Sequence, residues 1–195
     1  STVKHYAAHG SPEGGINLSP VYAGERQLRE LYLKPFEAAV KDAGALSVMP
    51  AYSELDGIPC SSSKMLLTKI LRDEWNFKGY TFSDYGAISM LHTFHMTADS
   101  PEEAGRQALE AGMDFEAPGT YGFNDKLMEL VRTGVVSGKT LDRAVSNVLR
   151  VKFLAGLFDQ DTYGDPELAK NITNCEAHRN LALKAAHESI ILLKN

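Results

Sequence analysis

Gly79-Tyr80-Thr81-Phe82-Ser83-Asp84-Tyr85-Gly86-Ala87 is the stretch on which the fold is decided. Its β-branched and aromatic start reads as a short strand. The strand ends in an aspartate with small residues directly after it, so the carboxylate is left at a strand tip and not inside a core. Parallel α/β enzymes keep their reactive groups at such tips. An acid there can be a nucleophile, a metal ligand or simply the N-cap of the following turn, which is the commonest role of a lone Asp.

Three more runs of this kind, residues 2–8, 46–52 and 113–118, flank it, and all four lead through Gly/Ser/Pro-containing loops into helical patterns. The first helix is expected over 25–43, with Leu28, Leu31, Phe36, Ala39 and Val40 at helical spacing and Gly44 as its stop. The second, over 63–75, buries Leu66, Leu67, Ile70 and Leu71. The third opens with Ser100-Pro101-Glu102-Glu103, a capping box with proline at the first helical position, and closes at Gly112. Helices over 124–133 and 140–157 follow the fourth run.

Short strands alternating with amphipathic helices define an α/β protein with a parallel sheet. A barrel and a doubly wound sheet both satisfy the pattern. No GxGxxG or GxxxxGK[ST] follows any strand, which removes the main support for a nucleotide-binding open sheet and favours a TIM-type (β/α)8 barrel. Eight units need around 250 residues, and four are visible here, so the expected architecture is half a barrel. The composition changes after residue 158. Residues 159–175 are polar and turn-rich and read as a linker, and 176–195 read as the first helix and strand of an α/β sandwich domain. The half-barrel is thus expected over 1–158.

At 195 residues, 44% apolar and a net charge of −5 with acids and bases interspersed, the chain is globular in class and has no basic stripe of the kind nucleic acid requires. No apolar run approaches membrane-spanning length, so neither nucleic acid nor membrane is expected as a partner. The first residues lack signal-peptide architecture. Cys60 and Cys175 have neither metal-site nor CxxC spacing and read as unrelated thiols. Asn171-Ile172-Thr173 is a glycosylation sequon by pattern only.

On a barrel the functional rim is the C-terminal end of the strands. The residues there are Lys4 and His5, Met49 and Tyr52, Asp84, and Glu116. A cation, an imidazole, a phenol and carboxylates converging on one rim suit a polyhydroxylated substrate, because a sugar needs several donors and acceptors around one reactive carbon. Adjacent residues on a regular strand point to opposite faces, so Lys4 and His5 reach one site together only if the strand turns at its tip. The pairs His5/His9 and His92/His95 tempt a metal reading, but a site needs a third ligand and suitable geometry, and solvated or hydrogen-bonded histidines are the simpler account. The glycines of 10–15 resemble a phosphate loop only loosely, since no Lys-Ser/Thr opens a helix after them.

Taken together, Lys4-His5-Tyr6, Gly24-Glu25-Arg26, Val48-Met49-Pro50-Ala51-Tyr52 with Asp56-Gly57-Ile58-Pro59, Phe77-Lys78-Gly79 through Ser83-Asp84-Tyr85-Gly86, and 189–195 are similar, in order and spacing, to the successive signatures of glycoside hydrolase family 3. The resemblance spans nearly the whole chain. It implies a barrel followed by an α/β sandwich with the site between them, a retaining mechanism, no metal or organic cofactor, and release of terminal β-linked glucose or xylose from oligosaccharides. It implies further that Asp84 is the nucleophile that forms a covalent glycosyl-enzyme, that Lys4 and His5 bind substrate hydroxyls, and that Met49 and Tyr52 line the same subsite. Lys4 near Asp84 would favour the ionised carboxylate. On this resemblance the missing partners are the N-terminal half-barrel and the C-terminal domains of the same polypeptide, and a periplasmic or secreted location is favoured.

Two departures bear on it. Many members place an arginine shortly after the Lys-His pair, where this chain has Glu13-Gly14-Gly15, so that contact is missing or comes from His9 or Glu13. The proton donor of glucosidase-like members is a glutamate of the following domain, outside these residues, and Glu116 reads as a structural or subsite residue. The fragment is therefore expected to be inert alone. Alternatives are a β-N-acetylhexosaminidase of the same family, disfavoured because its Asp-Ser-His is absent, a non-catalytic carbohydrate-binding barrel, and a metal-dependent hydrolase using Asp84, His92 and His95.

Overall fold

In the computed structural model, which describes residues 1–159 and 164–195, the chain runs β1 (Val3–Tyr6), α1 (Glu25–Gln27), α2 (Lys34–Lys41), β2 (Ser47–Pro50), β3 (Glu54–Leu55), β4 (Ile58–Pro59), β5 (Tyr80–Thr81), α3 (Ala87–Thr93), α4 (Pro101–Ala111), α5 (Asp125–Arg132), α6 (Gly138–Leu154), α7 (Pro166–Ile172) and α8 (Glu176–Ser189). Two compact units result, Ser1–Ala155 and Gly156–Asn195.

In the first unit β1, β2 and β5 form a parallel sheet in sequence order, and β3 pairs with β4 in a small antiparallel hairpin. The run expected as a fourth strand touches the sheet at a single parallel bridge, Phe82 to Phe115. Asp114 and Phe115 both donate through their backbone N–H to the Thr81 carbonyl, at 3.1 and 3.2 Å. What the sequence reads as four equal units is an α/β arrangement of three paired strands and one bridged segment.

The π-helical stretch Leu28–Tyr32 joins α1 to α2, and Leu33 N–H donates to the Leu28 carbonyl five residues back at 2.9 Å. A wide turn carries one extra residue and shifts the phase of the apolar stripe. Leu28 and Leu33 are both 1% exposed as a result, while Leu31, expected in the core from regular spacing, is 59% exposed. A second π-helical stretch, Met65–Glu74, does bury the expected Leu66, Leu67, Ile70 and Leu71, each contributing roughly 1.5–3 kcal/mol by removal from water. Tyr6 is fully buried beneath them, with its hydroxyl donating to the Leu66 carbonyl at 3.1 Å and its ring edge-on to Phe36 at 5.1 Å. The Ser100 cap forms as expected, the hydroxyl accepting from Glu103 N–H at 3.2 Å.

A buried acid ties these layers together. The Asp114 carboxylate, fully enclosed, pairs with Arg72 from the second π-helical stretch and accepts from Thr81 N–H of β5 at 2.9 Å and from the Asn147 amide of α6 at 3.1 Å. Burial pushes its pKa up, against the pull of Arg72. The strand-tip pattern singles out Glu116 two residues on, and nothing local in the sequence marks Asp114.

Two short elements, α3 and the β3–β4 hairpin, carry no signal in the sequence because neither is long enough to show a period. In the second unit α8 matches the expected helix, and α7 lies inside the stretch 159–175 read as a linker, of which residues 160–163 fall outside the described residues. The strand expected after α8 is not formed: among the described residues 190–195 have no ladder partner, and Ile190 and Ile191 are 75% and 76% exposed. A strand exists only where a neighbour takes its N–H and C=O groups. No helix among the described residues is long and apolar enough to cross a membrane.

Candidate active site

The parallel strands end on one side, and of the groups singled out from the sequence His5, Tyr52 and Asp84 come together there. Register pairs Lys4 of β1 with Met49 of β2 and then Tyr6 with Pro50, so His5 occupies a bulge between two paired positions. A bulge re-aims a side chain that regular alternation would send to the other face. His5 Nε2 thereby lies 3.2 Å from Asp84 Oδ2 across the strand exits. Asp84 Oδ1 accepts from Tyr85 N–H at 2.7 Å, and the carboxylate keeps only 14% of its accessible surface. Each oxygen therefore has its own partner.

Lys4 does not pair with Asp84. Among the described residues the ion pair recorded at this carboxylate is with His5, and Lys4 with His5, His9 and Ser11 lines an adjoining cleft of about 530 Å3. His9 stacks obliquely on His5 with ring centroids 4.3 Å apart. Burial, then the charges of His9 and Lys4, hold the His5 pKa below its ordinary 6.5, against the opposing pull of Asp84. The neutral imidazole is favoured, and an Nε2 facing a carboxylate carries the proton.

Met49 is buried on β2, beside Lys4 in register. Tyr52 follows the last sheet bond, Ala51 N–H to Tyr6 carbonyl at 2.8 Å, and its hydroxyl donates to the Tyr85 carbonyl at 2.9 Å. A phenol has one proton. With that proton committed to Tyr85, the hydroxyl stands next to Asp84, and burial together with the carboxylate pushes its pKa up to about 12. Its hydroxyl thus faces both the Tyr85 carbonyl and the Asp84 carboxylate.

Glu116 is 7% exposed and faces its own loop, accepting from Gly122 N–H at 3.0 Å and Phe123 N–H at 2.8 Å. Burial raises its pKa, against those amides. The three groups of the metal reading part company: His92 Nδ1 is 2.7 Å from the Tyr121 hydroxyl, His95 turns to the Tyr52 carbonyl, and Asp84 faces His5. Among the described residues no three His, Cys, Asp or Glu side chains gather so as to hold a metal ion. His95 enters the sequence reading only as a metal candidate and Glu54 not at all, since nothing in sequence spacing marks a contact spanning 43 residues.

A parallel sheet capped by helices, with an oriented carboxylate and an imidazole at the strand exits, defines an α/β protein whose polar site sits on the C-terminal rim of its strands. More particularly, residues 1–151 match the family described as the glycosyl hydrolase family 3 N terminal domain, and the chain belongs to that family. Over its full length it is 42% identical to a periplasmic beta-glucosidase of Salmonella typhimurium and 40% identical to a putative beta-xylosidase of Formosa agariphila. The chain spans about a quarter (26%) of the length of each. A crystal structure of beta-glucosidase from Listeria innocua in complex with glucose superposes on all of it with a TM-score of 0.85 at 38% identity, the match covering 26% of that chain.

Proposed function

We propose that this chain is the nucleophile-bearing part of a retaining β-glycosidase that releases terminal β-linked glucose or xylose from oligosaccharides, and that its βα units are the second half of a (β/α)8 barrel. The observation that carries this reading is the Asp84 carboxylate at a parallel-strand exit, oriented by Tyr85 N–H and met by His5 at 3.2 Å. The names of the relatives, beta-glucosidase and beta-xylosidase, support the sugar class.

In this mechanism Asp84 attacks the anomeric carbon, the bond to the leaving oxygen breaks, and that oxygen takes a proton from an acid outside these residues. Water then attacks the glycosyl-enzyme, giving its proton back to that same acid, and returns the carboxylate with net retention of configuration. Neutral His5 donates from Nε2 to the carboxylate or to a sugar hydroxyl, Lys4 binds hydroxyls from the adjoining cleft, and Met49 and Tyr52 wall the sugar. Glu116, committed to backbone amides, has no part in the proton transfer.

Incubating the full-length protein with a 2-deoxy-2-fluoro glucoside and, separately, the xyloside, then mapping the labelled peptide by mass spectrometry, tests both chemistry and sugar. The label is expected on Asp84. A label elsewhere removes the mechanism, and binding without label or turnover leaves a carbohydrate-binding domain instead.

A further inference from the structure

We infer that His95 is a positioning residue for Asp84, acting through Tyr52. This rests on the proposed function. Tyr52 lies past the end of β2, where sheet bonding has stopped, yet it is held at two points by one neighbouring segment: its hydroxyl by the Tyr85 carbonyl at 2.9 Å and its carbonyl by His95 Nε2 at 2.9 Å. Since a carbonyl only accepts, that nitrogen must carry the proton. His95 is itself fixed on three sides. Its backbone N–H donates to the Met90 carbonyl at 2.8 Å as α3 ends, Phe94 stands edge-on to the ring at 5.1 Å, and Glu54 Oε2 lies 3.7 Å from Nδ1. The side chain is only 3% exposed, so water is a poor substitute for it.

The consequence follows from connectivity. Tyr85 joins Tyr52 to Asp84: its carbonyl takes the Tyr52 hydroxyl while its N–H holds Asp84 Oδ1 at 2.7 Å. His95 thus fixes Tyr52, Tyr52 holds the Tyr85–Gly86 peptide through its carbonyl, and the adjoining Asp84–Tyr85 peptide, one Cα away, aims the nucleophile. A group that fixes a ligand from behind tunes it without touching substrate, and small misplacement of a nucleophile costs rate more than binding.

The test compares His95→Ala, His95→Gln, Tyr52→Phe and the His95→Ala/Tyr52→Phe double variant in the full-length protein, reading kcat, KM and the rate of inactivation by the fluoro-sugar. His95→Ala is expected to lower kcat and the inactivation rate by on the order of 100-fold with KM changed little. Tyr52→Phe should lose a comparable factor. The double variant should be no worse than the poorer single one, because both changes cut one path. His95→Gln, whose amide can donate to the Tyr52 carbonyl, should recover most of the rate. Multiplicative losses in the double variant, wild-type kcat in His95→Ala, or no rescue by Gln would each overturn the inference. If His95→Ala does not fold, the Gln variant must still show near-wild-type kcat and Tyr52→Phe must not. If the wild-type protein is never labelled at Asp84, the functional reading fails on its own, and the inference is then judged on unfolding midpoints, where additive shifts of the two single variants defeat it.

Discussion

His5 is the residue whose protonation the site controls most directly. Burial and the charges of His9 and Lys4 depress its pKa below 6.5, so folding favours the neutral ring. The stability this contributes is complete above the ordinary value and is lost as pH falls through the depressed one. The unfolding midpoint of the full-length protein should therefore drop, as pH falls below about 6.5, more steeply than that of His5→Gln, in which no imidazole titrates at this position. Parallel pH profiles would show that His5 is not the titrating group. Cys60 offers a second test at this scale. It is fully buried, and burial pushes its thiol pKa up to about 12. Thiolate is the reactive form, so iodoacetamide at about pH 8 should leave Cys60 unmodified in native protein and alkylate it only after denaturation, as peptide mass spectrometry will report.

Among the elements, the second π-helical stretch, β5 and α6 meet at the Asp114 carboxylate. Removing one partner of a buried ion pair strands the other, at a cost of roughly 3–5 kcal/mol. Asp114→Ala should lose about that much in denaturant unfolding, with Arg72 left buried and uncompensated. Close approach sets a second constraint. A Cβ on Gly105 in α4 would sit 2.1 Å from the Gly122 carbonyl oxygen, in the loop that Glu116 holds through Gly122 N–H. Gly105→Ala must push helix and loop apart, and the expected readout is a lowered unfolding midpoint together with faster amide exchange at Gly122 and Phe123. Unchanged protection there would mean the loop is held by other contacts.

For the whole molecule, the proposed division of labour has a chemical signature. On the proposed function Asp84 is the nucleophile, and with Glu116 occupied by backbone amides the described residues carry no acid assigned to the proton transfer. Sugars with poor leaving groups should not be cleaved at all by this segment, and any residual turnover should appear only with 2,4-dinitrophenyl glycosides, whose departure needs no proton. Cleavage of an alkyl glycoside by the segment would place an acid within it. Much of this was legible in the chain itself: the βα alternation, the Ser100 cap, the Leu66–Leu71 stripe and Asp84 at a strand tip all follow from local periodicity and turn chemistry, which act over a few residues. The phase slip that exposes Leu31, the short α3, the reduction of the fourth strand to a bridge, and the absence of pairing after α8 depended on partners distant in sequence. So did the pairing of Asp84 with His5 and not Lys4, and the path from Glu54 through His95 and Tyr52. Composition and spacing determined which groups are available at the strand exits. Only the bulge in β1 and the folding of the α3 segment against Tyr52 decided which of them touch, because a hydrogen bond depends on positions in space that sequence separation does not encode.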